Sequence, residues 1–252
     1  MQRLDAVTFD CWNTLLAEKD WQVAHGLRVD ALQRAARAAG LGEAAADRAR
    51  VGRAFDDAWQ RHMQLWEMGV ASGAREVAGW AFAELGAPPR GAAFDELVAR
   101  LEEASHSSQV VALEGAGETL ERLASRGVRM ALVCDTGLTP GRIVRRHLDR
   151  LGLLAHLDAT VFSDEWLVPK PHRAVFLGAL RELRTPPESG LHVGDLRRTD
   201  VAGAHGVGMK AVRIRALHDD RTGYPDADWV VDSHTELCTL IEGFGDGARV
   251  SR

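Results

Sequence analysis

The stretch Ala6-Val7-Thr8-Phe9-Asp10-Cys11-Trp12-Asn13-Thr14-Leu15-Leu16 decides the fold. Four residues that suit a buried strand run straight into an aspartate and a polar turn. Comparable runs recur at Val128 to Val133, Ala159 to Phe162, Leu191-His192-Val193, Ala211 to Ile214 and Trp229-Val230-Val231. Helix-like segments separate most of them. Near-continuous apolar strands alternating with helices predict an α/β protein with a doubly wound, Rossmann-like parallel sheet covered on both faces. Such sheets bind ligands at the carboxyl ends of their strands.

The strand ends carry the chemistry. The first strand ends in Asp10 and the second in Cys134-Asp135-Thr136-Gly137. Ser163-Asp164 and then Pro169-Lys170-Pro171 follow the third, and the fourth ends in Gly194-Asp195, with Asp200 beyond it. In a parallel sheet these sets converge on one edge, bringing Asp10, Asp195 and Asp200 together beside Lys170. Crowded carboxylates repel one another unless a cation sits among them, and hard oxygen donors select Mg²⁺. The lysine adds a fixed positive charge that keeps a carboxylate nucleophile ionised and attracts an anionic substrate.

Between the first two strands, from about Glu18 to Gln109, only helical pattern is present. Leu27, Ala31, Leu32, Ala35 and Ala36 mark one helical face, and Phe55, Trp59, His62, Met63 and Trp66 a second. Val77, Trp80, Ala81 and Leu85 mark a third, ended by Gly86 and Pro88-Pro89; Phe94, Leu97, Val98 and Leu101 mark a fourth. A crossover needs one helix, so about four imply an inserted helical domain at 18–109, the α/β core comprising 1–17 and 110–252. Hinges are expected near Leu15 to Glu18 and near Ala112 to Gly117. Gly245 to Arg252 reads as a mobile tail.

The bulk properties exclude other classes. Hydrophobic residues make up 46% of the 252 residues, enough for a core. The net charge of -5 argues against a nucleic-acid partner. No apolar run approaches a membrane span. Cys11, Cys134 and Cys238 are an odd, sparse set without CxxC spacing, which fits buried thiols in a reducing cytoplasm.

The four strand-end sets, in this order and spacing, resemble the motifs of the haloacid dehalogenase superfamily, over Asp10 to about Ile214. The inserted helices resemble that superfamily's cap. The resemblance implies a hydrolase in which Asp10 attacks a small, anionic substrate and forms a covalent aspartyl intermediate. It implies that Thr14 helps hold the loop and Lys170 stabilises Asp10 and the transferred group. It assigns Mg²⁺ to Asp10, Asp195, Asp200 (directly or through water) and the Trp12 carbonyl. It places the substrate against Trp12, Cys134, Asp135, Thr136 and Gly137.

Two positions depart from the pattern. Phosphatases of the superfamily carry an acid/base aspartate where this chain has Trp12, and indole can neither donate a catalytic proton nor act as a base at neutral pH. His25, His62 and Glu18 are candidates for a substitute proton carrier. Haloacid dehalogenases also carry an aromatic residue there, but they need no metal and lack the acidic pair that this chain keeps. Cys134 stands where Ser or Thr is usual. Hydrolysis of a phosphorylated metabolite, carbon–halogen cleavage and a weak or inactive binding member all remain open, with the acidic pair favouring the first. The cap arginines Arg28, Arg34 and Arg37 read as a solvated face, and Trp21, Trp59, Trp66 and Trp80 as helix-packing residues.

Overall fold

Every residue of β1 (Ala6–Phe9) is buried, as a central strand covered on both faces requires. The computed structural model describes residues 4–86 and 91–244; Pro88-Pro89 and the expected tail lie outside the described residues. By packing, the chain divides into two units. Residues 1–17, 111–135 and 148–252 form one, and residues 18–110 with 136–147 form the other.

β2 (Leu16–Glu18) and β3 (Val110–Ala112) pair as a two-stranded ribbon where the chain passes between the units. Neither was expected, because three residues carry too little pattern to read. The main sheet adds β4 (Arg129–Cys134), β5 (Ala159–Phe162), β6 (Gly190–Gly194), β7 (Lys210–Ile214) and β8 (Trp229–Val231). It is six-stranded, ordered β5-β4-β1-β6-β7-β8, and parallel throughout. All six expected strands are present, three of them with bounds moved by one residue at one or both ends. The strand order reverses at β1: β4 and β5 lie to one side and β6 to β8 to the other. The carboxyl end of β1, where Asp10 follows, is therefore the topological switch point.

The helical unit contains α1 (Trp21–Ala38), α2 (Gly42–Ala46), α3 (Arg48–Glu67), α4 (Ala74–Leu85) and α5 (Gly91–Glu103). The short α2 is one helix more than expected. Val29, Leu32, Phe55, Val77, Phe82 and Leu101 share its core, and Leu138 packs there too. That contact explains why residues 136–147, expected in the α/β core, group with the helices. The expected face of α1 is buried at Ala31, Leu32 and Ala36, with Ala35 packed beside them, and departs at one residue. Leu27 is exposed, whereas Arg28 is buried and donates from Nε to the Leu101 carbonyl at 3.1 Å. Arg28 is therefore no part of a solvated face, although Arg34 and Arg37 are exposed. Trp59 and Trp80 pack on the helical core as expected, but Trp21 is 55% exposed. Asp47 starts α3 by accepting the Ala49 amide at 2.9 Å, and Gly86 ends α4 with φ +107°.

The sheet unit adds α6 (Ala116–Ser125), α7 (Gly141–Arg150, begun in the other unit), α8 (Ser163–Trp166), α9 (Arg173–Glu182), α10 (Ala202–Val207) and α11 (His234–Glu242). Val175, Phe176, Ala179 and Leu180 of α9 share a core with Ala6, Ala131, Val133 and Val161 of the sheet. Side chains alternate along a strand, so Thr8 shares the face of Ala6 beneath α9. Among the described residues no helix is long and apolar enough to cross a membrane.

Candidate active site

The loop after β1 closes around one carbonyl. The Asp10 amide extends the ladder to the Val193 carbonyl at 2.8 Å. The Cys11 carbonyl then accepts the Leu15 and Leu16 amides, both at 2.9 Å. Asn13 takes up the left-handed conformation, φ 61°, which Asn tolerates better than most residues. Its amide bonds the Leu16 carbonyl at 2.7 Å, and its side chain donates to Asp195 Oδ2 at 3.3 Å. Thr14 was expected to steady this loop. Its main chain does so, because its carbonyl accepts His234 Nε2–H at 2.8 Å. Its hydroxyl is buried without a hydrogen-bond partner among the described residues. His234 opens α11 and packs against Gly115, where a Cβ would stand 2.9 Å from His234 Cβ and the backbone has φ +78°. A glycine is required there twice over.

Lys170 is buried and lies between two carboxylates. Nζ donates to Asp10 Oδ1 at 2.5 Å and to Asp200 Oδ1 at 2.7 Å. Its amide donates to Asp135 Oδ1 at 2.8 Å, tying the lysine to the end of β4. Burial acts to neutralise the ammonium, but Asp10, Asp200 and Asp135 outweigh it and hold Lys170 charged, well above the ordinary lysine range.

Asp10, Asp195 and Asp200 are all buried, and each offers a carboxylate oxygen within 4.8 Å of the others. One ammonium cannot balance three such groups. Burial, with the negative charges of Asp10 and Asp200 added, pushes Asp195 up to about 8. Burial also raises Asp10, to about 6, against the pull of Lys170. Burial acts the same way on Asp200, but Lys170 and His192 outweigh it and keep that carboxyl below the ordinary range. This is an oxygen-rich site short of positive charge, and such a donor set fits a hard divalent cation.

Asp200 reaches the cluster because Gly194 has no side chain. A Cβ on Gly194 would stand 2.3 Å from Asp200 Cγ and 2.5 Å from its Cβ. Gly194→Ala must therefore displace Asp200 itself rather than a flexible tip. A loss of about 1–3 kcal/mol in denaturant unfolding is expected, the usual cost of overpacking. An unchanged unfolding midpoint would contradict this packing.

Several residues at this end of the sheet were missed from sequence. His192, inside β6, bonds Asp200 (Nε2 to Oδ1, 3.2 Å). His218, in the loop before β8, places Nδ1 3.5 Å from Asp195 Oδ2. That loop is clasped by buried Arg213, whose guanidinium bonds Asp226 at 2.7 and 3.0 Å and Asp219 at 2.8 Å. A histidine in an otherwise apolar strand was the one signal available for His192. His218 carried none, since its approach depends on a clasp between distant residues.

The remaining predicted residues lie as follows. Trp12 is half-buried. Cys11 and Cys134 are buried free thiols, and burial pushes the Cys134 thiol well up, away from the reactive thiolate. Asp135 ends the sheet unit, whereas Thr136 and Gly137 belong to the helical unit, where Gly137 lies against His62. Of the substitute proton carriers, His62 is buried, stacked on Trp59 and bonded through Nδ1 to Ser72 Oγ at 2.7 Å. His25 is paired with Asp56 at 2.7 Å, and one Glu18 carboxylate oxygen is buried without a partner among the described residues.

Residues 75–214 match the family model described as haloacid dehalogenase-like hydrolase. The chain belongs to this family. Among curated relatives of this haloacid dehalogenase-like hydrolase, the glyceraldehyde 3-phosphate phosphatase of Methanopyrus kandleri is 33% identical over 129 residues, covering 49% of this chain and 53% of the relative. The chain spans about half the length of the curated relatives it matches. Among solved structures, a HAD phosphatase from Thermococcus onnurineus aligns over 95% of this chain and 98% of its own, with TM-score 0.62 and 24% identity. A 2-haloacid dehalogenase from Pseudomonas syringae pv. Tomato DC3000 aligns over 96% of this chain and 99% of its own, with TM-score 0.64 and 20% identity. These likenesses establish the haloacid dehalogenase fold.

Proposed function

We propose that this haloacid dehalogenase-like hydrolase cleaves a small phosphorylated metabolite, with Asp10 as nucleophile and Mg²⁺ as cofactor. One observation carries the reading: three buried carboxylates offer oxygens within 4.8 Å of one another, with Lys170 set between two of them. The phosphatases among its relatives support the substrate class.

In this reading Asp10 attacks phosphorus and the ester oxygen leaves, forming an aspartyl phosphate that water then hydrolyses. Lys170 holds Asp10 ionised and offsets charge on the transferred group. Mg²⁺, when bound, would supply the positive charge that lets an anion approach a carboxylate. Asp10, Asp195 and the Trp12 carbonyl would hold it. Asp200, first expected among the ligands, has both oxygens engaged by Lys170, His192, the Leu196 amide and Thr199 Oγ1. We read it as the anchor of Lys170. The helical unit is read as a substrate-selecting cap, and Trp12 as a wall that contributes no proton.

The test is phosphate release across a panel of sugar and nucleotide phosphates, with Mg²⁺ or with a chelator. Turnover that ignores the chelator rejects the metal, and absence of phosphate release across the panel rejects the substrate class. Trp12 favours a second reading, 2-haloacid hydrolysis. Halide release from 2-haloalkanoates, indifferent to metal, would establish it.

The charge imbalance predicts a pH-dependent metal effect. Unfolded aspartates titrate near about 4, whereas Asp10 and Asp195 are raised to about 6 and about 8. The metal-free fold therefore holds protons that the unfolded chain has released. Their contribution to stability is full below about pH 4 and is lost as pH rises through 6 and 8. Mg²⁺ replaces those protons, so its Tm gain should be larger at pH 8 than at pH 6. Thermal melts with and without Mg²⁺ check this, and an equal gain at both pH values would contradict it.

A further inference from the structure

His192 is a fully buried imidazole that the proposed chemistry does not use. It lies on β6 directly opposite Thr8 of β1, in register, two residues before Asp10. Both ring nitrogens are engaged. Nδ1 is 2.8 Å from Thr8 Oγ1, and Nε2 is 3.2 Å from Asp200 Oδ1. The ring meets Phe176 of α9 edge-on, with centroids 5.0 Å apart.

The valences of these groups select one tautomer. An ionised carboxylate only accepts hydrogen bonds, so the hydrogen toward Asp200 belongs to Nε2. A neutral ring then has a bare Nδ1, which must accept, and the Thr8 hydroxyl can rotate to donate to it. Asp200 thus decides which nitrogen carries the proton, Thr8 satisfies the bare Nδ1 that this leaves, and Nε2–H helps decide how the Asp200 carboxylate lies. On the same carboxylate, Oδ1 also takes Lys170 Nζ at 2.7 Å, and Oδ2 takes the Leu196 amide at 2.9 Å and Thr199 Oγ1 at 3.3 Å. With the plane of Asp200 held from several elements, one Lys170 hydrogen is fixed on Asp200 Oδ1 and another is directed to Asp10 Oδ1 at 2.5 Å.

We propose that Thr8 and His192 are positioning residues: they lock Asp200 through the Nε2–H tautomer of His192 and so aim the Lys170 ammonium at Asp10. This rests on the reading of Asp10 as nucleophile. A histidine that merely fills the core would contribute to stability, but the aim of Lys170 would not depend on its tautomer.

The test uses the full chain labelled with ¹⁵N. Long-range ¹H–¹⁵N correlation should find His192 as the neutral Nε2–H tautomer. Thr8→Val keeps the side-chain shape and removes the donor to Nδ1. It should move the His192 ring signals and the Lys170 ammonium signal, and lower kcat on the order of 10-fold with KM nearly unchanged, the usual scale for outer-shell support. Thr8→Ser, which restores the hydroxyl, should return both. An Nδ1–H tautomer or an imidazolium in the wild type overturns the proposal, and that measurement stands even where Thr8→Val does not fold. A folded Thr8→Val with an unmoved Lys170 signal overturns it as well. If the wild type releases no phosphate, the functional reading fails on the kinetic arm, while the two spectroscopic arms still decide the relay.

Discussion

Replacing Trp12 with Asp is expected to raise phosphate-ester turnover by about 10²- to 10⁴-fold, the range of general acid–base help in enzymes. The physical basis is local. Trp12 sits in a loop pinned by the Cys11 carbonyl and by the Asn13–Leu16 bond at 2.7 Å, so a side chain at this position leaves a fixed backbone. Indole offers the leaving oxygen no usable proton. A carboxyl at this position, two residues after Asp10, would supply the group that can give the leaving oxygen its proton and then take one from water. The gain should be largest for alkyl phosphates, whose leaving oxygen needs a proton, and small for aryl phosphates, whose phenolate leaves without one. Steady-state phosphate release from the two ester classes checks both parts. If a folded, metal-binding Trp12→Asp gains nothing with either class, the scaffold is tuned to other chemistry and the halide assay becomes the deciding one.

Asp10→Asn is expected to lower kcat on the order of 10⁴-fold or more, the scale seen when a covalent nucleophile is removed. Mass spectrometry of quenched reactions should find one phosphoryl group on the wild type and none on the variant. Stability should move the other way. Asn is isosteric, Lys170 keeps Asp200 as a partner at 2.7 Å, and one of three crowded carboxylates becomes neutral. With less repulsion, Asp195 falls from its raised position, and the metal-free chain should melt no lower than the wild type at pH 8. Such an opposition between activity and stability is expected where a site is built from mutually repelling charges. Turnover that survives Asp10→Asn would reject the nucleophile, and a large drop in melting temperature would reject the electrostatic account.

The amino-acid sequence by itself determined the sheet and the residues at its carboxyl edge. Strand-length apolar runs, a fixed order of polar strand ends and an oversized helical gap are local or periodic properties, and local properties survive without coordinates. Asp10, Lys170, Asp195 and Asp200 were legible for that reason, as were the six strands of the main sheet. Short elements such as α2, β2 and β3 were not, since a few residues carry no period. Only the tertiary structure decided how the polar groups share their hydrogens. It showed Arg28 buried rather than solvated, residues 136–147 packed with the helices, and Asp200 saturated by Lys170, His192, Leu196 and Thr199. It also brought His192 and His234 to the strand ends, from partners 184 and 220 residues away. The reason is physical. A strand's position follows from which faces must leave water, a demand written residue by residue, whereas a buried donor takes whichever acceptor the finished packing places within 3 Å or so, and that choice exists only once the chain has closed on itself.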